Sequence, residues 1–126
     1  MKFNRTGVIL FTEHYQACVA FYSKTLELPV MFALDNEHSQ LTCCDMGGSN
    51  YLMIEGGGKA VEGRKSMAQN TVWLRFNVAD VDSAVAELTA KQVTVNLRRE
   101  AWGTVANFND PDGNVCSLRD EATFGQ

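Results

Sequence analysis

Long hydrophobic runs are missing from this chain of 126 residues. The apolar run from Val8 to Phe11 is too short for the hydrophobic region of a signal peptide, and Glu13 follows it closely. No segment approaches the roughly 20 apolar residues that are needed to cross a bilayer. We therefore expect a cytoplasmic protein without a membrane partner.

Basic residues are also few, since 11 Lys and Arg stand against 15 Asp and Glu and the net charge is −4. Nucleic-acid binding needs a basic surface that displaces counterions from phosphates. The pairs Arg64-Lys65 and Arg98-Arg99 are too short to supply such a surface and are typical of solvated positions. We therefore expect no nucleic-acid partner.

Cysteine occurs four times, at Cys18, Cys43, Cys44 and Cys116, and the spacing fits no zinc pattern. Adjacent Cys43 and Cys44 would point to opposite faces of a strand. We expect all four to be reduced and to act as small apolar residues. A cysteine nucleophile would need a nearby histidine, and the sequence offers only His38 close to Cys43 and Cys44.

The first half of the chain predicts a strand over residues 7–12 and a helix from about Glu13 to Leu26. Thr12 or Glu13 is expected to cap that helix. The turn Gly47-Gly48-Ser49-Asn50 separates the last two of three further strands. Those strands are predicted at residues 30–33, 40–44 and 51–55.

The second half repeats this order. A strand is predicted over Val72 to Val78, and Asp80 is expected to cap a helix whose apolar residues follow helical spacing. Val93-Thr94-Val95 predicts a short strand. A closing hairpin over residues 104–109 and 114–119 surrounds Asp110-Pro111-Asp112-Gly113, where Pro presets φ and Gly accepts positive φ.

Both halves therefore read β-α-β-β-β, and the sequence predicts an α+β fold built from two such modules within one domain. Module one is expected at about residues 1–58 and module two at about 71–126. The glycine-rich and polar stretch between them, about residues 59–70, is predicted to be an exposed and mobile linker.

Several ordered motifs span nearly the whole chain and resemble the glyoxalase/bleomycin-resistance/dioxygenase superfamily, also called the vicinal-oxygen-chelate superfamily. They are Val8-Ile9-Leu10-Phe11, Val19-Ala20-Phe21-Tyr22, Leu26-Glu27-Leu28-Pro29-Val30, the segment from Phe76 to Ala84, Trp102-Gly103-Thr104 and Asp110-Pro111-Asp112-Gly113-Asn114. The resemblance implies curved mixed sheets that form a cup, with helices on the outer face, usually in a homodimer. Two departures are Glu27, where a glycine is typical, and the helix end at Lys91-Gln92-Val93, where a C-cap glycine is typical.

The resemblance implies four cup-facing positions, which hold the metal in the metalloenzymes of this superfamily. The first strand of each module usually supplies His and the last strand Glu. The matching positions here hold Gly7 and Glu55 in the first module, and Trp73 and Ser117 in the second. Only Glu55 ligates a divalent cation well, whereas catalytic zinc typically has three protein ligands. We therefore expect neither a metal nor another cofactor.

The two histidines do not change this expectation. His14 opens the first predicted helix and His38 lies in a polar loop, so neither is expected to reach the cup.

Strand alternation independently predicts which side chains face the cup. If Trp73 faces it, so does Arg75, while Leu74 and Phe76 pack under the helices. A shift by one residue would bury Arg75, which is unfavourable for an unpaired charge. The predicted ligand-binding residues are Ile9, Phe11, Tyr51, Met53, Glu55, Trp73, Arg75, Trp102, Asn107 and Ser117.

These residues describe an apolar concavity with a few polar anchors, which is typical of a small-molecule site. The closing hairpin resembles metal-free bleomycin-resistance proteins, which sequester drugs in cups shared between subunits. We expect a metal-free small-molecule-binding protein that sequesters a planar or cationic compound, because aromatic rings stack on planar ligands and attract cations.

Three alternatives remain open at this point. Phe11, Met53 and Trp73 could simply fill the space of a lost metal, with Glu55 paired to Arg75. The protein could be a lyase, isomerase or dioxygenase of the superfamily that uses Glu55 with a metal or as a catalytic acid–base group. It could also act through its surface or its dimer contact, with a closed cup.

Overall fold

Two four-stranded mixed sheets, each with a helical segment, form the chain. The computed structural model describes residues 1–125. Its contacts group the chain into two units, Met1–Ala60 and the residues from Val61 onward. These units are called module one and module two below. Each has the element order β-α-β-β-β, as the sequence predicts.

Module one contains the strands β1 (Thr6–Thr12), β2 (Val30–Asp35), β3 (Gln40–Gly47) and β4 (Asn50–Gly56). Their order in the sheet is β1-β4-β3-β2. Strand β1 pairs parallel with β4, whereas β3 is antiparallel to both β4 and β2. A parallel neighbour needs a crossover, and the helix between β1 and β2 supplies it.

The helix of module one is split into an α-helix, α1 (Tyr15–Ala20), and a π-helical segment over Phe21–Thr25. The N–H of Leu26 donates to the carbonyl of Phe21 at 2.9 Å, which is the wider spacing of a π-turn. The helical residues thus lie within the predicted range, but only the first six are α-helical.

The prediction that Thr12 or Glu13 caps α1 is wrong. The residue at the cap position is His14, and no side chain accepts a capping hydrogen bond there. The Thr12 hydroxyl instead donates to the carbonyl of Glu55 at 2.8 Å, and Glu13 accepts from the N–H of Ala60 at 3.0 Å. Both side chains therefore tie the end of β1 to the end of β4 and its continuation.

The core of module one lies between the helix and one face of the sheet. The hydroxyls of Tyr15 and Thr42 are 2.6 Å apart, which shows that the Thr42 face of β3 is turned towards α1. Thr42 is opposite Ile54 in β4. The buried hydrophobic side chains of this module include Cys18, Phe21, Tyr22, Cys44, Leu52 and Ile54.

Module two contains the strands β5 (Leu74–Val78), β6 (Asn96–Glu100), β7 (Gly103–Asn109) and β8 (Val115–Asp120). Their order is β5-β8-β7-β6, the same arrangement as in module one. Strand β5 is parallel to β8, and the other pairs are antiparallel. The internal repeat predicted from the sequence is therefore present in the topology.

The helix of module two, α2 (Val81–Ala90), begins at Asp80 as predicted. One carboxylate oxygen of Asp80 accepts from the N–H of Ser83 at 3.1 Å, and the other accepts from its hydroxyl at 3.0 Å. These hydrogen bonds lower the pKa of Asp80. Arg99 of β6 lies 2.7 Å from Asp82, so α2 covers the sheet face that carries Arg99.

The second strand of module two is not at Val93–Val95, where the sequence predicted it. Strand β6 begins later, at Asn96. Gln92 adopts a left-handed φ of 68°, and the N–H of Val93 donates to the carbonyl of Leu88 at 3.0 Å. The residues that directly follow α2 are therefore still hydrogen-bonded to the end of the helix. The strand β6 is mostly polar, so hydrophobic periodicity does not reveal it.

The predicted linker is not uniformly exposed. The N–H of Val61 donates to the carbonyl of Asp112 at 2.9 Å, and the N–H of Lys65 donates to that of Gly113 at 3.0 Å. Lys65 is only 8% exposed, and its ammonium donates to Asn114 at 2.8 Å. Residues 61–65 thus form a strap against the β7–β8 turn, because that turn presents outward carbonyls.

The strap continues to Asn70, which is also buried. Its side chain accepts from the N–H of Val115 at 2.6 Å and donates to the carbonyl of Val72 at 2.7 Å. Asn70 therefore fixes the approach to β5 against the start of β8.

Two residues at the departures from the superfamily pattern, Glu27 and the Gln92 of Lys91-Gln92-Val93, adopt the left-handed conformation, with φ of 60° and 68°. Residues with a Cβ rarely adopt it, because Cβ approaches the following carbonyl oxygen. Glycine is therefore the sterically favoured residue at both positions.

All four cysteines are buried, and each is in the reduced thiol form that the sequence predicted. Within residues 1–125, no helix is long and apolar enough to span a membrane.

Candidate functional site

The face of the module-one sheet opposite α1 carries an apolar surface, called here the open face. Ile9 and Phe11 lie on β1 and are 49% and 55% exposed. Because β1 is in parallel register with β4, Ile9 is opposite Met53 and Phe11 is opposite Glu55. The predicted site residues of module one, Ile9, Phe11, Tyr51, Met53 and Glu55, thus lie together on the open face.

Gly7 and Tyr51 form one closely packed pair on that face. They are directly opposite in the β1–β4 register. A Cβ atom built on Gly7 would collide with the Tyr51 ring, in contact with Cε2 and Cζ. The ring therefore occupies the space where a side chain at position 7 would begin.

A cavity of about 390 Å³ opens at the Glu55 end of the open face. His38 borders this cavity with Glu55 and Phe11, and its side chain is 84% exposed, so it is a surface histidine, as predicted, that lies next to the predicted site residues. Asn36 folds the loop back by accepting from the N–H groups of His38 and Ser39 at 2.8 and 2.9 Å. The sequence signal for this placement was the turn-forming Asn36.

The face of the module-two sheet opposite α2 carries a row of polar residues across all four strands. Arg75 in β5 is opposite Ser117 in β8, Ser117 is opposite Asn107 in β7, and Asn107 is opposite Asn96 in β6. These four residues are called the polar row below. Strand alternation therefore brings three predicted site residues, Arg75, Asn107 and Ser117, side by side.

Within the polar row, Arg75 and Ser117 contact each other directly. The Nε of Arg75 donates to the Ser117 hydroxyl at 3.3 Å. Ser117 is 0% exposed, whereas Arg75 is exposed. Ser117 thus holds Arg75 in place and does not itself present a free surface to a ligand.

Trp73 immediately precedes β5 and is partly exposed. The Arg64 guanidinium lies over its ring, 4.9 Å from the centroid. Trp73 also lines a cavity of about 410 Å³ with Met67, Asn70 and Thr71. The strap that precedes β5 therefore contributes to the surroundings of this tryptophan, which the sequence did not predict.

Trp102 lies in the turn between β6 and β7 and is 49% exposed. The Arg119 guanidinium lies 4.7 Å from its ring centroid and donates to its carbonyl at 2.9 Å. Arg119 also donates to the carbonyl of Thr123 at 3.1 Å. Trp102 is therefore part of a cluster that fastens the C-terminal segment to β8.

Burial raises the pKa of the Cys43 and Cys44 thiols. In Cys44 the neighbouring Cys43 adds to this effect. A raised pKa disfavours the thiolate, which is the nucleophilic form. Neither cysteine is suited to nucleophilic catalysis.

A family model described as the Glyoxalase/Bleomycin resistance protein/Dioxygenase superfamily matches residues 2–118. The chain belongs to this superfamily. A comparison with curated proteins gives no significant match.

Solved structures share the superfamily fold with this chain at low sequence identity. TnmS3, an antibiotic-binding protein from Streptomyces sp. CB03234, has a TM-score of 0.72 and 22% identity, covering 94% of this chain and 96% of its own. Lactoylglutathione lyase from Agrobacterium tumefaciens has a TM-score of 0.73 and 19% identity, covering 96% of each chain. A glyoxalase family protein from Enterococcus faecalis has a TM-score of 0.73 and 22% identity, covering 94% of this chain and 96% of its own.

The residues at the four positions that the resemblance matched to metal ligands do not fit a metal. Gly7 offers no donor, and the Tyr51 ring covers it. Trp73 offers no ligand oxygen or sulfur, and the Ser117 hydroxyl is bound by Arg75. Glu55 is the remaining carboxylate. Among residues 1–125, no group of three or more His, Cys, Asp or Glu is arranged to hold a metal ion.

Proposed function

We propose that the protein is a metal-free small-molecule-binding member of the superfamily that sequesters a planar compound. The observation that carries this proposal is the chemistry of the four superfamily metal positions. Three of them hold a covered glycine, a tryptophan and an engaged serine, which do not replace the usual ligands.

The open face of module one supports a planar ligand. Ile9 and Phe11 leave about half of their surface exposed, and Phe11 borders the cavity of about 390 Å³. Glu55 in the same cavity supplies a negative charge, which favours a ligand with a cationic group there. A structure of the same fold, TnmS3, is an antibiotic-binding protein.

The decisive test is titration of the protein with a panel of planar aromatic compounds, both cationic and neutral, by calorimetry and tryptophan fluorescence. We expect saturable binding of at least one class, weakened by Phe11→Ala. The matched control is Phe3→Ala, because Phe3 is exposed outside the strands. A panel-wide absence of heat and fluorescence change would contradict the proposal.

Elemental analysis tests the metal-free part separately. We expect no divalent metal in stoichiometric amount in protein purified without chelators. Zinc, nickel or iron at one equivalent per chain would show that other residues supply the ligands.

An acid–base enzyme is a second candidate, supported by the shared cavity of Glu55 and His38. A carboxylate and an imidazole in one cavity can accept and donate a proton. Superfamily lyase and isomerase substrates would be turned over without added metal if this is correct, and Glu55→Gln would abolish turnover. Retained turnover in that variant would exclude Glu55 as the acid–base group.

We also propose a homodimer in the cytoplasm. Analytical ultracentrifugation at micromolar concentrations tests the dimer, and fractionation of the producing cells tests the location. A protein that stays monomeric over the whole concentration range would contradict the proposed homodimer.

A further inference from the structure

Arg75 has unused hydrogen-bonding capacity. Its Nε is engaged by Ser117 at 3.3 Å, and no other partner of this side chain is found within residues 1–125. An arginine has five N–H donors in a planar fork. The terminal nitrogens of Arg75 are therefore available, while the bond to Ser117 limits the orientations of the fork.

The other arginines on this face of module two are already occupied. Arg98 pairs with Glu100 at 2.7 Å. Arg119 is 8% exposed and lies 3.5 Å from Asp120. Arg75 is thus the arginine of this face without a carboxylate partner among the residues that the structure describes.

The carboxylate of Glu121 contacts the face of β5 that carries Arg75. Its Oε2 accepts from the side-chain amide of Asn77 at 2.8 Å. Asn77 is two residues along β5 from Arg75, on the same face. Arg75 is the charged residue among the four of the polar row, and its charge is opposite to that of Glu55 in the module-one cavity.

Asn107 contributes a second unsatisfied group to the polar row. Its Oδ1 atom is buried and has no hydrogen-bond partner. Buried polar atoms are nearly always hydrogen-bonded, because an unpaired one loses its interaction with water. The atom is covered in this structure, so a ligand reaches it only when the Asn107 side chain turns towards the face; once turned, it can accept a hydrogen bond.

We infer that the polar row binds an organic carboxylate with a hydroxyl group next to the acid. Arg75 holds the carboxylate through its terminal nitrogens, in the forked geometry that arginine favours, and Asn107 accepts from the hydroxyl. Ser117 acts as a positioning residue for Arg75. The inference rests on the proposed small-molecule function and names the ligand class for module two.

The test uses three probes that differ in one group each: 2-hydroxybenzoate, benzoate and 2-hydroxybenzamide. Calorimetry measures their affinity, and Trp73 fluorescence is followed in the full chain with Trp102→Phe. We expect 2-hydroxybenzoate to bind tightest. The amide, which lacks the charge, should bind about tenfold to a hundredfold more weakly, the usual range for a hydrogen bond to a charged group.

Variants assign the two contacts. Arg75→Met should remove the preference for carboxylate over amide, and Arg75→Lys should restore part of it. Asn107→Ala should remove the preference for 2-hydroxybenzoate over benzoate and leave the carboxylate preference unchanged. The matched control is Arg98→Met, on the same face but paired with Glu100, which should change neither preference.

The outcomes separate this inference from the proposed function. Equal binding of acid and amide, or an undiminished carboxylate preference in Arg75→Met, would overturn the inference and leave planar-ligand binding intact. Failure of all three probes, together with failure of the planar panel, would overturn both. Thermal denaturation of each variant verifies that the exposed Arg75 is replaced without loss of folding.

Discussion

The ring of Tyr51 lies where the side chain of residue 7 would begin, and Gly7 leaves room for it. A larger residue at position 7 would collide with the ring. Position 7 is the one that the resemblance matched to a first-strand metal ligand in module one. A histidine placed there would have to displace the Tyr51 ring.

We predict that Gly7→Ala destabilises the protein by about 1–3 kcal/mol, the usual cost of an overpacked site. Chemical denaturation of the four members of a double-mutant cycle measures it. Tyr51→Ala should relieve most of the cost of Gly7→Ala, whereas Tyr51→Phe should not, because it retains the ring. Additive effects of Gly7→Ala and Tyr51→Ala would show that the ring is not the cause.

Glu27 and Gln92 adopt left-handed φ values of 60° and 68°. We predict that Glu27→Gly and Gln92→Gly each stabilise the protein by up to about 1 kcal/mol, because glycine has no Cβ to strain this conformation. Urea denaturation measures the change. Glu27→Ala is the control, since it retains the Cβ and should give no gain. If Glu27→Ala stabilised the protein as much as Glu27→Gly, the effect would come from removing the glutamate side chain and not from the strain of the Cβ.

Asp120 makes the free energy of unfolding depend on pH in the acidic range. A hydrogen bond from the Thr123 hydroxyl, with others from Thr104 and the Thr123 backbone, lowers the pKa of Asp120 from 3.8 to about 2. A lowered pKa in the folded state stabilises the protein at pH values above 3.8, and this contribution is lost as pH falls towards 2.

We therefore predict that Asp120→Asn is less stable than the wild type at pH 6 and that the difference shrinks as pH falls through this window. Urea denaturation between pH 6 and pH 2.5 measures both proteins. Other carboxylates, including Asp80, titrate in both and cancel in the difference. A difference that stays constant with pH would show that Asp120 has an ordinary pKa.

Gly113 contacts the strap of module two. Its φ is 88°, and a Cβ built on it would lie 2.5 Å from the carbonyl oxygen of Val61 and 2.9 Å from that of Gly63. We predict that Gly113→Ala costs about 1–3 kcal/mol and makes the buried Lys65 susceptible to trypsin. Mass spectrometry of brief digests identifies the cleavage site.

Gly63→Ala is the matched control for that variant. Gly63 has a similar φ of 79° but no atom within 4 Å of the added Cβ. It should therefore cost less and leave Lys65 protected. Equal protease sensitivity of both variants would show that backbone strain, and not the collision with the strap, releases the segment.

The sequence predicted the elements that depend on local apolar periodicity or on a chemically defined cap. The strands around Ile9 and Phe76 and the cap at Asp80 are of this kind. It did not predict β6, because that strand is polar and its position depends on the helix exit at Gln92. The proposed capping by Thr12 or Glu13 failed because both side chains bind other segments.

The candidate site was predictable to the extent that strand alternation defines it. Alternation predicted that Arg75 and Ser117 face the same side of their strands, as do Phe11 and Glu55. It did not predict that the members of each pair are opposite each other in the sheet. It could not show that Ser117 is buried and bound by Arg75, or that His38 returns to the Glu55 cavity. Those relations depend on side-chain directions and on a loop that folds back over many residues.

Because the strap over residues 61–70 binds the β7–β8 turn, module two begins structurally at residue 61 and not at the predicted residue 71. A fragment cut at Thr71 would leave the carbonyls of Asp112 and Gly113 and the N–H of Val115 without the groups that bind them. Any attempt to express that half alone, or to exchange it for a homologous half, should therefore place the junction between Ala60 and Val61.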